Sequence, residues 1–379
     1  MIYLDNAATT LHKPQPVIDA VMNAMTGGMG NAARGVHPGS LAAARAIYEA
    51  RLLISDFIDV GSPERVIFTH NATEALNIAI NGMIPAASHV ITTDTEHNSV
   101  LRPLYRLRDT RGVKLSFVGT DSAGRIDPAD FQPLITPETS AIICSHASNL
   151  TGNITDINAV GDIACKNDLI YIVDASQTAG CAHLSLKGSG ADAVCFSGHK
   201  GLMGPQGTGC LCLSGRMIPD PWNVGGTGIQ SFSETQPYTL PERLEAGTLN
   251  SHGIAGLSAA VRYINEIGLD NIIKKECELT EIFLKGIKDI KNIKIYGDIS
   301  CAPRTPTIAL NIENYDSAEI ADELAETYDI AVRAGAHCAP RMHRALGTAE
   351  QGAVRFSFSY FTDTTDVEAA ITALKDMAG

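Results

Sequence analysis

Leu169-Ile170-Tyr171-Ile172-Val173-Asp174-Ala175-Ser176-Gln177 and Ala193-Val194-Cys195-Phe196-Ser197-Gly198-His199-Lys200-Gly201 share one pattern, a short apolar run that breaks into polar side chains. Runs of this kind, rich in β-branched and aromatic residues and closed by turn formers, read as strands. Working outward, residues 65–68, 90–93, 114–118, 141–144 and 209–213 repeat the pattern and bring the strands to seven. Residues 72–83, 98–108 and 157–167 lie between strands and carry apolar side chains at helical spacing. The resulting βαβ order predicts an α/β fold, a mostly parallel seven-stranded sheet flanked by helices on both faces.

Residues 225–247 are polar, punctuated by Gly and Pro and without period, so a domain boundary is expected just after them. Residues 1–250 would then form a large domain, with roughly the first dozen packing instead with the small one. Residues 251–379 would form a smaller α+β domain. Its pattern is helices at 254–267 and 271–290, short strands near 293–296 and 307–312, a helix at 317–328, strands at 330–333 and 354–359, and a closing helix from Asp366. No repeats or heptads are present.

The chain has 379 residues, 45% hydrophobic and 19% charged, enough apolar material for a large core and unlike a disordered chain. With 29 basic and 42 acidic residues the net charge is −13, which repels a phosphate backbone, so no nucleic-acid partner is expected. The start, Met1-Ile2-Tyr3-Leu4-Asp5-Asn6, lacks the basic and then apolar run of an export signal, and no apolar stretch approaches the length of a membrane span. A soluble, cytoplasmic protein away from membranes is expected. Nine cysteines are too few for a disulfide scaffold and odd in number, which favours reduced thiols.

Several strand ends carry groups with chemical use. Lys200, set among glycines after a strand, stands where open parallel sheets form ligand crevices, and a desolvated lysine gives up its proton readily enough to condense with a carbonyl. An isolated His-Lys-Gly is more often a surface loop. Asp174 can pair with a pyridinium nitrogen, or it can simply cap a helix. The segment from Thr69 to Ala75 opens a helix, where backbone N–H groups and the Thr73 hydroxyl can meet a phosphate, or where an ordinary cap suffices. His97 and Asn149 follow two further strands and offer an imidazole and an amide to a flat ring. Each is ambiguous alone; together they lie at successive strand ends and converge on one crevice. A metal-binding alternative built on His199, Cys210, Cys212, His337 and Cys338 lacks the paired spacings of structural zinc, so no metal is expected.

With these motifs in view, the chain resembles the class V aminotransferase family of fold-type I pyridoxal-phosphate enzymes, and within it the cysteine desulfurase and selenocysteine lyase group. The resemblance runs from Tyr3-Leu4-Asp5-Asn6-Ala7-Ala8-Thr9-Thr10 to the segment Arg333–Cys338. It implies pyridoxal 5'-phosphate as cofactor, covalently joined to Lys200. It further implies His97 stacking on the ring and moving protons, Asp174 as the pyridinium partner, and Gln177 and Asn149 at the ring oxygen or substrate. Ala72, Thr73, Ser197 and His199 match phosphate-binding positions. Thr248 matches a residue that reaches the phosphate from the second subunit of a homodimer. Arg355 matches the clamp on the substrate carboxylate, a task suited to the guanidinium fork.

Cys338, in Arg333-Ala334-Gly335-Ala336-His337-Cys338-Ala339, decides the activity the resemblance implies. The loop resembles the group II form, in which this thiolate attacks the sulfur of L-cysteine, leaves L-alanine and a persulfide, and passes the sulfur to a protein acceptor. His337 or Arg333 could raise its thiolate fraction. Ala336 stands where many relatives carry His. The alternatives are a selenocysteine lyase acting on L-selenocysteine and an aminotransferase to which Cys338 is incidental.

Overall fold

The computed structural model describes residues 1–32, 35–300, 303–313 and 315–379. Its elements run β1 (Ile2–Tyr3), α1 (Gln15–Thr26), α2 (Pro38–Phe57), β2 (Val66–Thr69), α3 (Ala72–Met83), β3 (His89–Thr93), α4 (Asn98–Arg111), β4 (Lys114–Val118), β5 (Thr139–Ser145), α5 (Ile157–Lys166), β6 (Ile170–Asp174), α6 (Leu186–Ser189), β7 (Ala193–Ser197) and β8 (Gly209–Leu213). After a long irregular stretch come α7 (Ser251–Ile267), α8 (Leu269–Ile287), β9 (Ile293–Tyr296), β10 (Thr307–Ile312), α9 (Ser317–Tyr328), β11 (Ile330–Ala331), β12 (Arg333–Gly335), α10 (Pro340–Ala345), β13 (Ala353–Ser357) and α11 (Thr364–Ala378). The α/β expectation holds: seven strands form one sheet in the order β2-β8-β7-β6-β5-β3-β4. All neighbours are parallel except β8, which runs antiparallel to both β2 and β7.

The strands are apolar throughout because both faces are covered. On one face Ile142, Tyr171, Val173, Val194 and Phe196 pack with α2, α5 and α7. On the other Ile143, Ile170, Ile172 and Cys195 pack with α3 and α4. Side chains alternate across a strand, so each consecutive pair feeds two cores. Successive strands extend in one direction from β3 to β4 and in the other from β5 to β7. The strand ends around β3 and β5 therefore form the switch-point crevice where α/β sheets bind ligands.

The second sheet is antiparallel, in the order β12-β13-β10-β9, and packs with α8, α9 and α11 through Phe283, Leu310, Leu324, Phe356 and Leu374. Leu4 joins this core, and β1 pairs in parallel with β11. Two expectations need correction. The single strand at 330–333 is two: β11 pairs with β1, whereas β12 crosses to β13, with Arg333 opposite Arg355. Nor does the packing change at residue 250, because Ile254, Leu257, Val261 and Ile264 of α7 and Ile272 of α8 all enter the core of the large sheet. The apolar stripe of α7 lies against α1 and α2, helices that the sequence reading did not anticipate. Among the described residues, no helix is long and apolar enough to cross a membrane.

Candidate active site

The site is built on strand ends. Asn71 caps α3, its side chain accepting from the Glu74 N–H at 3.0 Å. This leaves the first helical N–H groups pointing at the crevice, where Ala72 N–H donates to Ser197 Oγ at 2.9 Å. The Thr73 and Ser99 hydroxyls lie 2.8 Å apart. Gly209 makes this approach possible, since a Cβ there would come within 2.6 Å of the Asn71 backbone. His97 caps α4 with Nδ1, accepting from Ser99 N–H at 3.0 Å. That bond leaves Nε2 as the protonated nitrogen of the neutral ring. Burial pushes the His97 imidazole down to about 4, with the Lys200, Arg333 and Arg355 charges adding and Asp174 opposing.

Ala72, Thr73, His97, Asn149, Asp174, Gln177, Ser197, His199 and Lys200 all line one cavity of about 140 Å³. The structure thus brings these nine residues together. Burial pushes the Lys200 ammonium down to about 8 against the pull of Asp174. Its carbonyl accepts from the Thr10 hydroxyl at 2.7 Å, which fixes the backbone from which the amine projects. Asp174 is buried and accepts from Ser176 N–H at 2.9 Å and from the Ser176 hydroxyl. Gln177 Nε2 donates to the Ala7 carbonyl at 3.2 Å. His199 lies 3.1 Å from Thr9 Oγ1, and burial likewise lowers it to about 4.

Arg355, on β13, is 1% exposed and joins the small sheet to the crevice and the N-terminal segment. Its two terminal nitrogens donate to the Asn149 carbonyl at 3.0 Å and to Asp5 Oδ1 at 2.7 Å. Arg355 Nε and Asn149 Oδ1 are buried without a partner. A buried donor and a buried acceptor left unpaired are costly unless a ligand completes them.

Cys338 is half-buried and is not among the residues lining the 140 Å³ cavity. Its backbone is nevertheless tied to the cavity's rim. The Cys338 carbonyl accepts from Asn98 N–H at 2.8 Å, next to His97, and the His337 carbonyl accepts from Asn149 Nδ2 at 2.7 Å. His337 and Cys338 both have positive φ, 49° and 54°. Non-glycine residues in that region cost of order 1–3 kcal/mol each, so the surrounding bonds over-determine a turn that would otherwise relax. Of the two groups expected to raise the thiolate fraction, His337 brings no charge. Burial and the Arg355 charge push His337 down to about 3, so it is neutral and supplies no positive charge to the thiol.

Thr248 stands apart. It lines a separate cleft with Tyr48, Arg51 and Glu245, where its hydroxyl accepts from Asn31 Nδ2 at 3.2 Å. The sequence reading assigned no role to Asp5, although it quoted the motif that holds it, nor to Glu96, the neighbour of His97. Asp5 is Arg355's partner. Glu96 is fully buried, takes hydrogen bonds from Thr93 and Ser145, and is pushed up to about 7 by burial, which props the turn that carries His97. A signal existed: an acid next to a motif histidine, after an apolar strand. Among the described residues, no group of three or more His, Cys, Asp or Glu is placed to hold a metal.

The sequence model of the family Aminotransferase class-V matches residues 2–370. A probable cysteine desulfurase of Methanothermobacter thermautotrophicus is 35% identical, over 100% of this chain and 95% of its own length. A cysteine desulfurase of Yersinia pseudotuberculosis is 32% identical over 89% of this chain and 84% of its own. Among solved structures, the apo cysteine desulfurase of Thermococcus onnurineus superposes with a TM-score of 0.94 at 33% identity, covering 100% of this chain and 94% of that one. The cysteine desulfurase of Escherichia coli in an S-sulfonic acid form follows at 0.89 and 25% identity, with the same coverage. With a family match across nearly the whole chain and relatives alike over most of their length, the chain belongs to the class V aminotransferase family, whose enzymes depend on pyridoxal phosphate.

Proposed function

We propose that this enzyme is a cysteine desulfurase: L-cysteine and the Cys338 thiol give L-alanine and a Cys338 persulfide, which a protein acceptor then relieves of its sulfur. The observation that carries this reading is the tie between the Cys338 turn and the cavity, through Asn98 at the start of α4 and through Asn149. The residues fit pyridoxal phosphate. The cavity offers N–H and hydroxyl donors at the start of α3 for the phosphate, a buried carboxylate at Asp174 and an amine at Lys200, while Asn149 Oδ1 awaits a donor. When bound, the cofactor serves as an electron sink for charge developing at the substrate Cα.

The chain's own groups do the rest. Lys200, lowered to about 8, has an appreciable free-amine fraction near neutrality and so can take the Cα proton. Arg355 Nε is the open position for a substrate carboxylate oxygen, while Asp5 and the Asn149 carbonyl hold the other arms of the fork. The Cys338 thiolate attacks the substrate sulfur, forming the S–S bond as the C–S bond breaks and its electron pair returns to carbon. His97, neutral with Nε2–H directed away from its cap bond, can donate a hydrogen bond to the substrate or product.

The test is Cys338→Ala in the cofactor-loaded protein. Alanine and sulfide production from L-cysteine should be lost while the cofactor's absorption band remains; unchanged production would remove Cys338 from the mechanism. Running L-selenocysteine in parallel separates the lyase, because selenide release that survives Cys338→Ala with no activity on cysteine would favour it.

The reading includes a homodimer. Exposed apolar side chains concentrate on α1 and α2 (Ile18, Met22, Leu41, Tyr48) and on the irregular stretch before Thr248, where Trp222, Val224 and Phe232 face outward. The eight described cysteines are unpaired, in keeping with a cytoplasmic home.

A further inference from the structure

Next to Cys338 lies a buried pair of histidines that the mechanism above does not use. His337 and His343 are 3% and 2% exposed, and their ring planes lie within 7° of parallel. Their centroids are 5.7 Å apart while His337 Nδ1 and His343 Nε2 are 3.5 Å apart, so the rings meet edge to edge rather than face to face. The proton inventory of this row has one solution. His337 Nε2 lies 3.1 Å from the Arg333 carbonyl, which can only accept, so that nitrogen carries the proton. The neutral ring then presents a lone pair at Nδ1, which His343 must meet with its own Nε2–H. His343 Nδ1 in turn needs a donor, and the Thr348 hydroxyl stands 2.8 Å away. That hydroxyl is also 3.4 Å from the His343 carbonyl, an acceptor already served by Thr348 N–H at 2.8 Å.

We propose that His343 is a positioning residue for Cys338: through His337 it holds the left-handed turn that presents the thiol. The proposal rests on the reading of Cys338 as the sulfur-carrying thiol. His337 is the first of the two positive-φ residues, and His343 sits on α10, one turn beyond Ala339. Met342 and Ala339 anchor that helix in a small core with Leu150 and Tyr296. The row therefore links a packed helix to a strained turn. The other charges bearing on His337 come from Arg355 on β13 and Arg333 on β12, and both oppose a further proton. A proton added to His337 would set two N–H groups against each other, whereas one added to His343 at Nδ1 would meet the Thr348 oxygen, which can turn to accept it.

The experiment maps alkylation by mass spectrometry in the cofactor-loaded protein, taking the ratio of Cys338 to the exposed Cys165 as the readout. His343→Ala should raise the ratio roughly five- to tenfold, the population shift expected from losing one buried hydrogen bond. His343→Gln keeps an N–H near the Nε2 position and should return the ratio to that of the parent. If His343→Ala does not fold, Thr348→Val, which removes only the outer donor, should move the ratio the same way by less. A ratio unchanged in the variant that folds, or a Gln variant no better than Ala, overturns the proposal. Alanine formation is measured separately, so a parent that makes none from cysteine refutes the desulfurase reading without touching this result.

Discussion

Glu245 shows what one buried charge does. With Arg51 it forms an ion pair in which both side chains are almost fully enclosed, and its second oxygen accepts from Phe68 N–H at 2.6 Å. Removing one partner strands the other charge in a poor solvent. Glu245→Ala is therefore expected to destabilise the protein by about 3–5 kcal/mol, read as a lowered urea midpoint, whereas breaking an exposed pair such as Lys114–Glu138 should leave that midpoint nearly unmoved. Glu245 also precedes Thr248, so the same change should disturb the segment assigned to the subunit contact. At Lys200 the expectation concerns chemistry. Lys200→Ala should abolish the covalent cofactor band and alanine formation while leaving the unfolding midpoint close to that of the cofactor-free parent.

Between elements, the decisive contact is β8 against the start of α3. Gly209 pairs with Thr69 on one side and Ser197 on the other, and its bare Cα lets the Asn71 backbone sit against the strand. A methyl group would meet backbone atoms, which cannot swing aside as a side chain does. Gly209→Ala should push the α3 N-terminus out of line and weaken cofactor binding at least about tenfold, with helix content retained; a fluorescence titration with pyridoxal phosphate measures it. An unchanged dissociation constant would mean that α3 does not set phosphate affinity. β13 has a comparable role, since Arg355 spans from it to Asp5 and Asn149 and so ties the N-terminal segment, the small sheet and the crevice into one unit.

For the molecule as a whole, buried titratable groups set the pH dependence. His97, His146, His199 and His337 are held neutral by burial, at about 4 or about 3. The unfolded chain binds more protons than the native one below about pH 6.5, so these groups remove stability as pH falls through that value. Glu96 and Glu276 are raised to about 7 and about 8, mainly by burial. There the native chain keeps protons that the unfolded one loses, and stability falls as pH rises from about 4.5 to about 8. Four histidines outweigh two acids on the acid side, and between about pH 6.5 and 8 the acids outweigh the lowered Lys13 and Lys200, so thermal stability should peak near about pH 6.5. Glu276→Gln should flatten the alkaline decline in a series of melting curves, and a decline of unchanged slope would remove Glu276 as its source. The proposed dimer is testable at the same scale: Phe232→Asp should shift sedimentation from two copies toward one and speed cofactor loss.

The strands at 114–118 and 209–213, the helix at 72–83 and the polar strand-end residues could be read directly, because apolar period and turn chemistry are local properties of the chain. The family resemblance named the cavity residues on the same basis, since its motifs are short and contiguous. Three things were decided only by packing. The segment 330–335 divides between two sheets, because its partners lie more than 300 residues upstream at Ile2 and about 20 downstream at Arg355. α7 joins the large core, because its apolar face meets α1 and α2, which no local pattern announces. His337 is neutral rather than charged, because its protonation depends on burial and on Arg355, a residue brought near by β12–β13 pairing. Sequence determines which groups are available and the local shape that carries them; their distances, their desolvation and hence their protonation are properties of long-range contacts, which only the folded chain contains.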